Sequence, residues 1–193
     1  MTEMRTPLPP TPTLETRRLV LRPLREDDVP AIQRIFPQWE VVRHLNAQVP
    51  WPYPDDGAAT NMADCLAQRA RGEKMFWAIT LRGSDELRGR IDLWPGDETT
   101  RDNRGFWLDP RLHGQGLMFE AAEAVTRYAF EVLDWPELWL TNAQANQGSR
   151  RIKEKQGAQL IDVTPNVYVS GPGLRETWRL TREAWRARPG DRA

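Results

Sequence analysis

Two short stretches of this chain hold residue types that can do chemistry together: HGQGLM at residues 113–118 and NQGSRR at residues 146–151. In the first, Gly114 and Gly116 stand where an apolar strand-like run gives way to a long amphipathic segment. Glycine accepts a positive φ and lets other groups approach the backbone closely. At a helix start such a loop can cradle an anion, because first-turn N–H groups are unpaired and the helix dipole favours negative charge there. Taken alone, the two glycines are more simply explained as a turn. In the second stretch, Asn146 and Ser149 open another helical segment, where either residue can cap the first turn. Arg150, Arg151 and Lys155 follow, able to neutralise phosphates, although a solvated basic helix face is the simpler account.

The segments on either side must position those stretches. RRLVLRPL (17–24) alternates apolar and charged residues and predicts a strand with one buried face. REDDVPAIQRIF (25–36) opens with acidic residues and spaces Val29, Ile32 and Ile35 or Phe36 as a short helix would. A second helical piece is expected over 39–45, then a Pro-rich loop at 49–57, then a helix over 55–70. Strand-like runs at 74–81 and 86–94 are joined by the hairpin signal RGSD, and 104–109 is a third run. The strongest helix signal covers 114–134, with Leu117, Ala121, Val125, Tyr128 and Val132 on one stripe. A strand over 138–144, a helix over 147–157 ended by Gly157, and strands over 158–169 and 174–181 around the turn SGPG complete the order. That order predicts a mixed α/β fold built around one sheet.

At 193 residues the chain is expected to form one domain over 14–188, with flexible ends at 1–13 and 189–193. Its 27 basic and 27 acidic residues cancel, which argues against a global nucleic-acid-binding field. Cys65 is the single cysteine, so no disulfide framework is expected. With only His44 and His113 besides, a zinc site would have to rely on carboxylates, and no metal is expected. The opening residues lack the apolar run of a signal peptide, and nothing later is apolar enough to span a bilayer, so no membrane contact and a cytoplasmic setting are expected. Most of the nine tryptophans read as packing residues, but Trp39, Trp51 and Tyr53 fall in an irregular stretch that could line a pocket.

Taken in order, GFWLDPRLHGQGLMFEA (105–121), LWLTNAQANQGSRRIKEKQGA (138–158) and a terminal strand running into LTREAW resemble the GNAT superfamily of acyl-CoA-dependent N-acyltransferases. The opening LETRRLVLRPLREDD and the ending TWRLTREAW are most similar to the branch that acetylates protein N-termini, including those of ribosomal proteins. The resemblance covers residues 14–188 and implies a mostly antiparallel twisted sheet of about six or seven strands, splayed in the middle and flanked by helices. The family's pyrophosphate loop is Gln or Arg, two residues, Gly, one residue, then Gly or Ala. The register that leaves the stripe from Leu117 intact sets His113, Gly116 and Met118 at those positions, with His113 and Met118 departing from the pattern. A second register, from Arg111 to Gly116, matches literally but begins two residues early.

The resemblance implies acetyl-CoA as cosubstrate and an amine as acceptor. It implies that His113, Gly114, Gln115, Gly116, Leu117 and Met118 hold the pyrophosphate, where a Met side chain can crowd the backbone or lean aside. Backbone groups of Trp107 and Leu108 would pair with the pantetheine arm as an added strand does, Asn146 would hold that arm, and Arg151 would meet a phosphate. Ser149 would sit near the thioester sulfur and protonate the departing thiolate, with Tyr168 the next candidate. An acceptor α-amine, at a reference pKa of about 7.7–8, needs only a weak base, whereas a Lys amine at about 10.4 needs a strong one. Asp92, Asp97, Glu98, Glu40, His44 and His113 are the candidate bases, each more simply a solvated or packed side chain. Three functions are expected in order of preference: acetylation of a protein N-terminus, acetylation of a small amine such as an antibiotic or polyamine, and acyl-CoA binding without turnover, by a monomer or homodimer.

Overall fold

The computed structural model of the protein describes residues 6–96 and 99–188. Its strands are β1 (Leu14–Glu15), β2 (Leu19–Pro23), β3 (Met75–Leu81), β4 (Leu87–Leu93), β5 (Arg104–Leu108), β6 (Glu137–Ala143), β7 (Gln159–Tyr168) and β8 (Gly171–Thr181). Its helices are α1 (Val29–Ile35), α2 (Trp39–Val42), α3 (Gly57–Ala70), α4 (Leu117–Glu131), α5 (Gln147–Lys155) and α6 (Arg182–Ala187). Every ladder is antiparallel: β1-β2-β3-β4-β5 form one sheet and β6-β8-β7 a second. The expected splay therefore takes the form of a break between β5 and β6.

Both faces of the larger sheet are covered, so β3 reads as a continuous apolar run rather than an alternating one. Its odd-numbered residues Met75, Trp77 and Ile79 join a core under α4, while Phe76 and Ala78 join one under α1 and α3. The stripe on α4 buries Leu117, Ala121, Val125 and Tyr128 in the first of these cores. Val132 does not continue it, since the helix has ended and the side chain is 65% exposed.

Among the described residues a polar clasp at Asn103 joins the two sheets, beside a bond from Thr141 Oγ1 to Asp102 (3.0 Å). Asn103 donates its N–H to Trp139 O (2.8 Å) and accepts the Trp139 N–H at Oδ1 (2.6 Å), while Trp94 N–H bonds Asn103 O (3.0 Å). Beyond that point β5 and β6 part, with α4 between them in sequence. The short α6 is an addition to the expected elements: Thr181 Oγ1 accepts from Ala184 N, and Trp185 is buried against Phe130. Residues 6–13, expected to be flexible, lie against the body. Leu8 N–H bonds Gly72 O (2.8 Å), and Trp77 Nε1 donates to Pro12 O (2.6 Å).

Candidate active site

Where β5 and β6 part, a cavity of about 490 Å³ opens, within the range of small-molecule sites. Three parts of the chain enclose it. Glu40 to Leu45 form one end, β5 and the loop into α4 a wall, and residues 145–155 the opposite wall. Among the described residues no helix is long and apolar enough to cross a membrane.

The glycine loop is built from its neighbours outward. Asp109 caps a 3-10 turn by accepting from Arg111 N and binds the Arg111 guanidinium (2.7 Å), which holds the Asp109 carboxyl below its usual range. Arg111 is thereby engaged outside the cavity, against its role in the second register. His113 Nε2 donates to Leu108 O (3.0 Å), closing the loop back onto β5. Gly114 and Gly116 follow at φ +74° and +75°, left-handed values that L side chains rarely adopt. Gly116 is the N-cap of α4, so the N–H groups of Leu117, Met118 and Phe119 have no acceptor within the helix and border the cavity side of the turn. Alternating left- and right-handed residues with free N–H groups are an anion nest.

Glu120 anchors this turn to the β1–β2 corner. It accepts from Thr16 Oγ1 (2.6 Å), Arg18 N (2.7 Å) and Arg18 Nε (2.6 Å), while Arg18 also holds Gln115 O (3.0 Å). Burial raises the Glu120 pKa, yet these bonds outweigh it and the carboxyl lies below its usual range. Gln115 turns its amide back to Arg111 O and does not line the cavity, unlike His113, Gly114, Gly116, Leu117 and Met118. Met118 is 9% exposed and belongs to the core under α4, bordering the cavity with what remains.

On the opposite wall, Asn146 Oδ1 accepts from Ser149 N (3.1 Å), so Asn146 is the cap of α5 and Ser149 is not. The Ser149 hydroxyl is left for other work. It lines the cavity and accepts from Lys153 Nζ at 2.8 Å. Lys153 is 1% exposed, and burial, with the nearby Arg104 charge, pushes its amine down to about 7. Nothing in the sequence separated this lysine from its solvated neighbours. Arg151 and Lys155 border the cavity, but Arg150 is drawn off by Glu154 (2.8 Å) and Glu176 (2.6 Å), which removes it from the expected phosphate contacts.

The backbone of β5 corrects a further expectation. Asp109 N donates to Arg88 O (2.7 Å), and Trp107 pairs with Arg90 in the β4 register. Bonds alternate along an antiparallel strand, so odd-numbered residues of β5 face β4 while Phe106 and Leu108 turn their backbone toward the gap. The strand edge facing the gap therefore belongs to Phe106 and Leu108, with the Leu108 carbonyl already held by His113. Trp107 instead packs its ring edge-on against Phe36 (5.3 Å), which meets Tyr53 at a tilt (5.0 Å). Trp39 and Trp51 are about two-fifths exposed, meet each other at a tilt with ring centres 5.7 Å apart and do not line the cavity; Glu40, Arg43 and His44 do.

Among candidate bases, Asp92 is buried in ion pairs with Arg90 (3.0 Å) and Lys74 (3.7 Å) away from the cavity, and is set aside. Asp97 and Glu98 lie outside the described residues. Glu40 and His44 line the end of the cavity opposite the loop, and burial, then the Arg43 charge, lowers the His44 pKa. Tyr168 bonds Leu174 O (3.2 Å) and does not reach the cavity, so it is no substitute acid.

The model of the family described as Acetyltransferase (GNAT) domain matches residues 18–159. A relative from Aspergillus fumigatus, the FsC-acetyl coenzyme A-N(2)-transacetylase, is 33% identical over 90% of this chain and 78% of its own. YoaA of Bacillus subtilis, an uncharacterised N-acetyltransferase, is 28% identical over 77% of this chain and 83% of its own. In three dimensions the fold is similar to RimL, a ribosomal L7/L12 alpha-N-protein acetyltransferase in complex with coenzyme A. The TM-score is 0.75 at 17% identity, covering 90% of this chain and 99% of that one.

Proposed function

The chain belongs to the GNAT acetyltransferase family, and from that premise we propose that it transfers the acetyl group of acetyl-CoA to the α-amine of a peptide N-terminus. The observation that carries this reading is one cavity bordered by three things: the left-handed glycine loop, the Ser149 hydroxyl, and an end where, among the described residues, Glu40 and His44 are the groups able to take a proton. Acetyl-CoA supplies the acetyl group as an activated thioester. The residues present fit it. The N–H groups of Leu117 to Phe119 and the charges of Arg151 and Lys155 would hold its phosphates, and the Phe106 backbone with the Leu108 N–H would align its amide-bearing arm. Asn146 would fix that arm from the other wall, and Ser149 Oγ would give its proton to the departing sulfur.

The acceptor class follows from the bases. His44, with its pKa lowered, is neutral at pH 7 and able to take a proton from an amine whose own pKa is about 8. A Lys side chain, near 10.4, would need a stronger base than His44 provides. A second reading, a small-molecule amine acceptor, is favoured by the 33% identity to a relative named for N(2)-acetylation of FsC. Acetyl-CoA consumption measured against N-terminal peptides and small amines separates the two. Peptides turned over with kcat/KM at least about tenfold above every small amine support the first reading. The reverse order establishes the second, and acetylation of Lys side chains alone overturns both.

A further inference from the structure

Lys153 lies one turn after Ser149 on α5, does not line the cavity, and reaches Ser149 from behind. Its Nζ donates to Ser149 Oγ at 2.8 Å and approaches the Ser149 carbonyl at 3.5 Å. Among the described residues it forms no ion pair, an unusual state for a buried ammonium. The charged groups facing it come from three other segments: Arg104 of β5, Asp102 just before β5, and Glu176 of β8. Arg104 is itself buried and held by Thr126 (2.6 Å) and Gln156 (2.8 Å), while the two carboxylates partly offset its charge at Lys153. The Phe106 ring, 5.8 Å from Nζ, closes the site on the β5 side.

A serine hydroxyl is by itself a much weaker acid than a thiol, so proton donation to sulfur needs a second proton to follow. We propose that Lys153 is a positioning residue for that donation, holding Ser149 Oγ from the buried side so that the hydroxyl proton points into the cavity, and replacing that proton as it leaves. The inference rests on the acetyl-transfer reading above. The C–N bond forms from the acceptor's lone pair, and the C–S bond breaks with its electron pair going to sulfur. Sulfur takes the Oγ proton, Oγ takes a proton from Nζ, and the proton released by the acceptor nitrogen leaves through His44 or water. Lys153, left neutral, regains a proton from water through the same hydroxyl once the cavity opens. An amine near pH 7 is well matched to such transfer, because general acids work best when their pKa lies near the working pH. Occupying Oγ as an acceptor also removes the hydroxyl's option of bonding backward.

The test uses an acceptor that wild-type protein turns over, with Lys153→Met, Ser149→Ala and the double variant. Lys153→Met is expected to lower kcat by about 10- to 10²-fold, with KM for acetyl-CoA within about threefold, the signature of a proton-transfer loss rather than a binding loss. In the Ser149→Ala background the same change should alter kcat by less than about twofold, because the lysine acts through that hydroxyl. The wild-type kcat/KM for acetyl-CoA should decline above pH 7 with a midpoint matching the Lys153 amine followed by ¹⁵N NMR in the free protein, and Lys153→Met should lose that limb. Equal losses in both backgrounds, a change confined to KM, or a limb that does not coincide with the NMR midpoint overturns the inference. If Lys153→Met does not fold, the wild-type limb and NMR midpoint decide. If wild type acetylates no amine, the acceptor reading fails separately. The inference then stands or falls on whether Ser149→Ala lowers the NMR midpoint in free protein by about half a unit or more.

Discussion

Lys153 carries an amine into the interior on a four-carbon stem, and the fold must bear that burial at neutral pH. Its pKa is about 7 in the folded protein against a reference near 10.4 in an unfolded chain. Between those values the unfolded chain binds a proton that the folded one does not, so stability rises with pH across that window. The full cost is present below pH 7. Lys153→Met is therefore expected to raise Tm above wild type by about 3–8 °C near pH 6.5. That follows from about 1.5–2 kcal/mol for replacing a buried charge by a matched apolar chain, within the range such replacements span, at about 2–4 °C per kcal/mol. The gain should shrink as pH approaches 10. Calorimetry at several pH values checks this, and a constant offset would mean that the amine does not titrate in that window. In sequence this residue was hidden, because RRIKEK reads as a solvated basic face whichever lysine points inward.

Between β5 and α4 the loop has to turn a strand into a helix while leaving N–H groups unpaired, and Gly114 and Gly116 do this with left-handed backbone. Space does not forbid a side chain at Gly116, where a Cβ would meet only the Arg18 guanidinium at 3.6 Å; the φ of +75° does. Gly116→Val is expected to strain the turn by about 1–3 kcal/mol and to weaken CoA binding at least about tenfold by calorimetry. Met118→Ala should act on stability instead. Its side chain fills the core under α4, so truncation should cost about 2–5 kcal/mol in stability and leave CoA affinity within about threefold. Tighter CoA binding in Met118→Ala would show instead that the methionine crowds the cradle. The glycines were legible from their place after GFWL, and the bonds that fix the loop were not. Glu120 meets Thr16 and Arg18 across about a hundred residues of chain, where no local pattern points.

Across the whole molecule, the cavity exists because the two sheets are joined at Asn103 and free of each other beyond it. Asn103→Ala leaves the Trp139 N–H without its Oδ1 partner and should cost about 1–3 kcal/mol. Faster hydrogen exchange at the Trp139 amide than at the amides of β3 would check that the clasp is the element that opens. Undiminished protection there would shift the join to other contacts. The sequence by itself determined the elements from β2 to β8 and their order, together with the two chemical stretches, because strand alternation, the helix stripe, caps and turn residues act over a few residues. Ser149 and Asn146 were legible as a helix start, but which of them caps it depended on a side-chain direction. Tertiary structure alone decided that Asn146 takes the cap and Lys153 the hydroxyl, that Phe106 and Leu108 offer the edge facing the gap in place of Trp107, and that Asp92 and Tyr168 are spent elsewhere. Each of these is set by strand parity or by burial against distant segments, such as the reach of Arg104 to Gln156, and those are properties of packing that no short stretch of chain contains.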